Sequence, residues 1–255
     1  MDWTIFLMGA LVGVLVGLTG VGGAALLTPV LVFLGIQPTV AVATDLFYNS
    51  ITKLFGSIQH IRQRTVQTRL VLYLAMGSVP SAVAAILLLK YYPPLHDYQD
   101  TIIKHALGIV LIIVALVSLV KVWFDKGGVR TNRIQEKPLS EKKTMTIMIG
   151  VILGFVVGLT SIGSGSLFAL AMMFLFRLTA AELVGTDIVH AFLLVSAAGL
   201  MHAGFGTINY ALAFNLLAGS IPGVLVGSSL SAKLPPTPLR TVMATIILIS
   251  GIKLI

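Results

Sequence analysis

Two Thr-Asp pairs, Thr44-Asp45 and Thr186-Asp187, lie inside long apolar runs of this chain, 142 positions apart. A carboxylate so placed can cap a nearby helix end by accepting from backbone N–H groups. It can also take up and release a proton between two faces of a barrier. Both readings stand for both pairs. His190 follows Asp187 on nearly the same helical face, where an imidazole can relay a proton, donate to a ligand or simply pack. Asn49, one turn after Asp45, can hydrogen-bond a substrate or a neighbouring helix. Lys53 lies about 10 Å along a helix from the end of its segment, near enough to snorkel to the interface or to attract an anion. An ionised side chain at the centre of a membrane helix costs about 2.5–3.5 kcal/mol, so each of these is a functional candidate.

A second set of residues offers amides and hydroxyls. Residues 17–23 read GLTGVGG and residues 158–164 read GLTSIGS, both within apolar runs. Irregular backbone survives in hydrocarbon only where protein or water satisfies its N–H and C=O groups. Each break starts a new half-helix, with bare N–H groups, a positive dipole end and glycines that admit a ligand close to the main chain. Thr19, Gly20, Gly22 and Gly23 in the first copy, and Thr160, Ser161, Gly163, Ser164, Gly165 and Ser166 in the second, are thus candidate binding residues for an oxyanion. Gly9, Gly13 and Gly17, like Gly150, Gly154 and Gly158, have the GxxxG spacing of helix packing and are assigned to it.

The elements that must hold these groups follow from composition. The chain has 255 residues, 57% hydrophobic and 10% charged, with a mean hydropathy of +1.01 and a net charge of +8. Several stretches reach the roughly 20 residues that cross about 30 Å of hydrocarbon as helix, so an all-α, multi-pass membrane protein is expected. The start, MDWTIFLMGALVG, has no basic n-region, and no cleavable signal peptide is expected. The chain has no cysteine, which removes disulfides and thiolate chemistry. The basic excess is concentrated between Lys121 and Lys143 and belongs to one connection, with no nucleic-acid face.

The chain also repeats itself. Residues 9–26 align with 150–167, Thr44-Asp45 with Thr186-Asp187, His60 with His202, and GSVP at 77–80 with GSIP at 219–222. Two homologous halves of four hydrophobic segments result, 1–124 and 144–255, joined by a basic, flexible linker at 125–143. The segments fall near 4–36, 39–60, 69–89 and 102–124, then 145–176, 180–202, 209–232 and 240–255. The first of each half, at about 48 Å of helix, is too long for one perpendicular crossing. If it breaks at the glycines and leaves by the face it entered, the halves have three crossings each and are inverted, with the breaks meeting near the midplane. Lysine and arginine in the short loops favour this arrangement, with the linker cytoplasmic. Pro80 and Pro222 are expected to kink the third segments, as hinges or merely to fit a crowded core.

The duplicated GLTGVGGAALLTPVL and GLTSIGSGS segments, the Thr-Asp pair after each and the basic central loop resemble the TauE/SafE family, also called TSUP, over nearly the whole chain. The resemblance implies movement of sulfite, thiosulfate or organosulfonates across a prokaryotic plasma membrane. The second copy departs from the first, since Gly20, Gly23 and Ala24 become Ser161, Ser164 and Gly165, so a shared site should be lopsided. The expected function is a secondary transporter of a small sulfur-containing anion, proton-coupled, using alternating access. An anion channel and a non-transporting structural subunit are the alternatives. No convergent catalytic set, metal site or cofactor motif is present, so the chain is not expected to be an enzyme. Expected partners are the anion, protons and the bilayer; the pattern leaves oligomeric state open.

Overall fold

A computed structural model describes residues 3–19, 24–124, 135, 138–139, 141–231 and 236–255. Among these residues every extended element is a helix. The first half holds α1 (Trp3–Thr19), α2 (Ala24–Phe33), α3 (Pro38–Arg62), α4 (Thr68–Tyr91), α5 (Pro93–His96) and α6 (Gln99–Phe124). The second holds α7 (Lys143–Thr160), α8 (Ser166–Leu175), α9 (Ala180–Gly204), α10 (Tyr210–Ser231) and α11 (Pro236–Leu254). Five of them, α4, α6, α7, α9 and α10, are long and apolar enough to cross a membrane. Helix α3 has 25 residues but is more polar than these, because it carries Asp45, Asn49 and Lys53.

Local chemistry sets several boundaries. Pro38 opens α3, where its missing N–H has no consequence. Thr179 and Glu182 form a capping box at the start of α9, Glu182 N donating to Thr179 Oγ1 at 3.2 Å and Thr179 N to Glu182 Oε2 at 2.9 Å. Helix α7 stops because Ser161 turns left-handed at φ 61° and Gly163 follows at φ 98°. Helices α4 and α10 run through Pro80 and Pro222 as single elements.

The first segment of the second half is divided as the glycines predict. The second break occupies residues 161–165; of the first, α1 ends at Thr19 and α2 begins at Ala24, with Gly20, Gly22 and Gly23 outside the described residues. Most of the linker at 125–143 also lies outside them. Its C-terminal end is docked: Lys142 is 4% exposed, and its Nζ donates to the Leu175 carbonyl at 2.9 Å. Burial lowers the Lys142 pKa from its ordinary value, with Glu141 acting in the opposite direction.

The two halves grip each other reciprocally. Helix α1 packs along α10, Gly9 on Leu216 and Gly17 on Val224, while α7 packs along α4, Gly150 on Leu74 and Gly158 on Ala82. A Cβ at Gly17 would lie 2.5 Å from the Val224 carbonyl oxygen, and one at Gly158 2.6 Å from that of Ala82. Backbone therefore rests on backbone, the role assigned to these outer glycines. Gln67 N donates to Thr186 Oγ1 at 3.0 Å, and its counterpart Asn209 N donates to Thr44 Oγ1 at 3.3 Å. Equivalent contacts are thus made in both directions between residues 1–124 and 144–255.

The same contacts give helix directions. The equivalent helices α3 and α9 run oppositely, because Gly56 meets Ile188 while Gly199 meets Leu46. Helices α6 and α11 also oppose, Gly108 against Ile255 and Gly251 against Ile112. Helix α10 runs with α3, Asn209 reaching Thr44 and Ser220 reaching Tyr48. Since α1 runs with α10, α1 and α3 point the same way, and the 10-residue α2 must return between them. Helices α7, α8 and α9 repeat this plan, with α8 also 10 residues long. At about 15 Å, neither return helix spans a hydrocarbon core. Leu27, Leu31, Leu46, Leu107 and Ile162 fill the interior, whereas Leu7, Phe55, Leu72 and Leu200 are exposed on the outside. An apolar exterior of that kind suits lipid.

Candidate substrate and coupling site

The opposed helices α3 and α9 carry the predicted ionisable residues, and the hairpins close over them. Asp45 is fully buried and has donors from three elements. Thr28 of α2 and Ser161 of the second break both donate to Oδ2 at 2.7 Å, and Asn49, one turn along α3, donates its amide to Oδ1 at 2.8 Å. An ionised carboxylate is acceptor-only, and this arrangement meets that need. Asp45 thus ties the first half's return helix to the second half's break, a contact between residues 116 apart in sequence. The Asn49 amide also donates to the Asp45 carbonyl at 2.9 Å, so within this arrangement Asn49 serves the carboxylate.

Asp187, the equivalent residue, is in a different situation. It is 8% exposed, and its Oδ1 is buried with no hydrogen-bond partner among the described residues. The sequence explains the asymmetry. The counterpart of Thr28 is Ala169, that of Asn49 is Ala191 and that of Ser161 is Gly20. Every side chain that donates to Asp45 is replaced by one that cannot donate to Asp187. Among the described residues, neither carboxylate accepts from a helix-end N–H; the N-terminal cap of α9 is Thr179.

Lys53 has electrostatic reach to both, Asp187 first and Asp45 second. It stands on α3 two turns beyond Asp45, on the same face. His190, fully buried, bonds Ser78 Oγ through Nε2 at 2.8 Å, lies 4.3 Å from the Phe168 ring and has no partner at Nδ1 among the described residues. Its counterpart is Tyr48, which faces Ser220, the counterpart of Ser78. Packing and a free polar edge coexist at this one imidazole.

The second break presents its groups unequally. Thr160 Oγ1 donates to the Val156 carbonyl at 2.8 Å and accepts from Ile162 N at 3.2 Å, so its hydroxyl shapes the break. Ser161 is committed to Asp45. Ser164 is 2% exposed, Gly163 and Gly165 lie on either side of it, and Ser166 opens α8. The Thr19 side chain and Gly20, Gly22 and Gly23 lie outside the described residues. Thr28 was not legible as a site residue: within ALLTPVL it is an isolated hydroxyl beside Pro29, and only its distance from the Thr-Asp pair, one short hairpin away, hints at a role. Ser78 was visible only as part of the repeated GSVP.

Two helical halves, each with a short return helix and one ionisable helix inside an apolar shell, define a polytopic membrane protein of transporter type. A profile of the Sulfite exporter TauE/SafE family matches residues 5–254, and the chain belongs to that family of membrane transporters. It is similar to the probable membrane transporter protein YjnA of Bacillus subtilis (strain 168), at 60% identity over 255 residues, 100% of each chain. It is also similar to the probable membrane transporter protein YunE of the same strain, at 25% identity over 98% of this chain and 96% of that one. The probable membrane transporter protein MJ0441 of Methanocaldococcus jannaschii is 28% identical over 63% of this chain and 57% of its own. No solved structure matches the chain.

Proposed function

We propose that this protein is a proton-coupled secondary transporter of a small sulfur-containing anion, such as sulfite, thiosulfate or an organosulfonate, with its two halves inverted in a prokaryotic plasma membrane. The observation that carries the reading is the unequal state of two equivalent carboxylates. Asp45 has three side-chain donors and Asp187 has no partner at Oδ1 among the described residues. A pseudo-symmetric pair caught in two different states is what alternating access requires, one side held shut while the other is free to load. Antiparallel α3 and α9, and return helices too short to cross, support inversion with re-entrant hairpins. With the basic linker cytoplasmic, Asp45 then lies toward the outer face and Asp187 toward the inner one.

In this reading Asp187 takes up the proton, with His190 one turn away to exchange it. Lys53 draws the anion into the space between the carboxylates. The amides and hydroxyls of Gly163, Ser164, Gly165 and Ser166, with the first break at Thr19 to Gly23, hold the oxyanion at the starts of α2 and α8. The test is flux in liposomes containing the purified protein. Uptake of sulfite, thiosulfate or taurine that saturates with concentration and steepens with an imposed pH gradient is expected. Flux indifferent to the pH gradient sinks the coupling, and flux that never saturates favours a channel.

A further inference from the structure

At the end of the bundle where α4 and α9 finish and α3 and α6 begin, a cavity of about 40 Å³ is lined by Thr39, Val42, Lys90, Gln99, Gly158 and His202, among others. A single water needs about 10–15 Å³ of such space, so there is room for about three water-sized groups, close to the size of a compact oxyanion. An organosulfonate with a carbon chain does not fit whole.

The lining has the chemistry of an anion site. His202 is 6% exposed, its Nδ1 is taken by Thr207 Oγ1 at 2.9 Å, and its Nε2 is buried with no partner among the described residues. With the Thr207 hydroxyl donating to Nδ1, the neutral ring carries its proton on Nε2. That N–H is buried and lacks an acceptor among the described residues. Lys90 Nζ lies 5.5 Å over the Phe205 ring, which holds the cation at the mouth. Of the two acidic side chains at this end, Asp97 and Asp100, neither lines the cavity, and Asp100 is already bonded, its Oδ1 accepting from Thr39 N at 2.9 Å and from Thr39 Oγ1 at 2.6 Å. No carboxylate is among the described residues that line the cavity. An ammonium, an amide and an open imidazole edge without a competing acid select for negative charge.

Position gives the cavity a purpose. Val42 precedes Asp45 by about one turn of α3, and Gly158 precedes Ser161 by about one turn of α7, so the floor of the cavity lies about one turn from the Asp45–Ser161 bond. We propose that Lys90, Gln99 and His202 form a binding subsite for a small inorganic oxyanion, where the ion waits before the Asp45 cluster opens. The subsite rests on the transport reading, and it assigns work to His202 beyond its helix-end contact with Thr207, which His60 repeats with Thr65 at 2.9 Å.

The experiment uses the purified full chain and sulfite as the probe. Isothermal titration is run on the wild type, Lys90→Gln and His202→Asn, with uptake kinetics in liposomes alongside. Lys90 is on the surface, so its variant keeps the fold even if the His202 variant does not. Each substitution is expected to raise the half-saturating sulfite concentration about tenfold, the loss of one charge-assisted contact, and to raise KM while kcat stays within about twofold. Taurine kinetics should not change. If both variants bind and carry sulfite as the wild type does, the cavity holds only water and the subsite is overturned. An unchanged KM with a reduced kcat also overturns it. A wild type that moves none of these anions defeats the transport reading instead, which the flux arm detects separately.

Discussion

Removing one hydroxyl from the Asp45 cluster tests whether that cluster holds the observed conformation. Thr28→Val preserves shape and deletes a donor that lies 2.7 Å from Asp45 Oδ2, with both residues fully buried. A hydrogen bond to a charged group contributes about 1.5–3 kcal/mol, and here no solvent is at hand to replace it. Ser161→Ala deletes the other bond to that same oxygen, also 2.7 Å long. For a chain of 255 residues a loss of about 1 kcal/mol lowers the melting temperature by about 2–4 °C, so about 2 kcal/mol gives about 4–8 °C for either variant. The double variant should lose more than the sum. The first deletion leaves Oδ2 one donor and the second leaves it none, a coupling of about 0.5–3 kcal/mol. The assay is intrinsic fluorescence during heating in detergent, with anion flux measured on the same samples. A weakening of about 2 kcal/mol shifts a two-state equilibrium about thirtyfold, so flux must change in the single variants as well. Singles that melt with the wild type, or a strictly additive double, refute the idea that Asp45 ties the two halves together.

Asp187→Asn removes a buried carboxylate with an oxygen unpartnered among the described residues, so the melting temperature should hold or rise while pH-driven flux falls at least about tenfold; a fall in both would make Asp187 structural. Lys53→Gln should raise the KM for anion several-fold with melting little changed, read from liposome uptake. Gly158→Leu forces a side chain against the Ala82 backbone and should abolish folded protein in size-exclusion chromatography, because α7 and α4 must separate. Thr179→Ala removes the capping box of α9 and should cost about 1 kcal/mol in heat stability without altering substrate preference.

The sequence alone determined much about this protein, because the determining signals are local or repeated. Apolar length set the helices, glycine-threonine clusters set where the first segments divide, and GxxxG spacing marked the faces where α1 and α7 pack. Duplication by itself makes Asp45 and Asp187 a pair. Their difference in state was not legible. Asn49 and Ser161 stand out in the sequence as polar candidates but not as donors to Asp45, Thr28 does not stand out at all, and the Thr28 and Ser161 bonds join residues 17 and 116 positions apart. Such contacts depend on how α2 folds back along α3 and how the second break crosses to the opposite half. Helix propensity and hydropathy act over a few turns and carry no information about that register. Only packing, where the backbones of α1 and α10 and of α7 and α4 touch along their glycines, decides which hydroxyl meets which carboxylate and which carboxylate is left open.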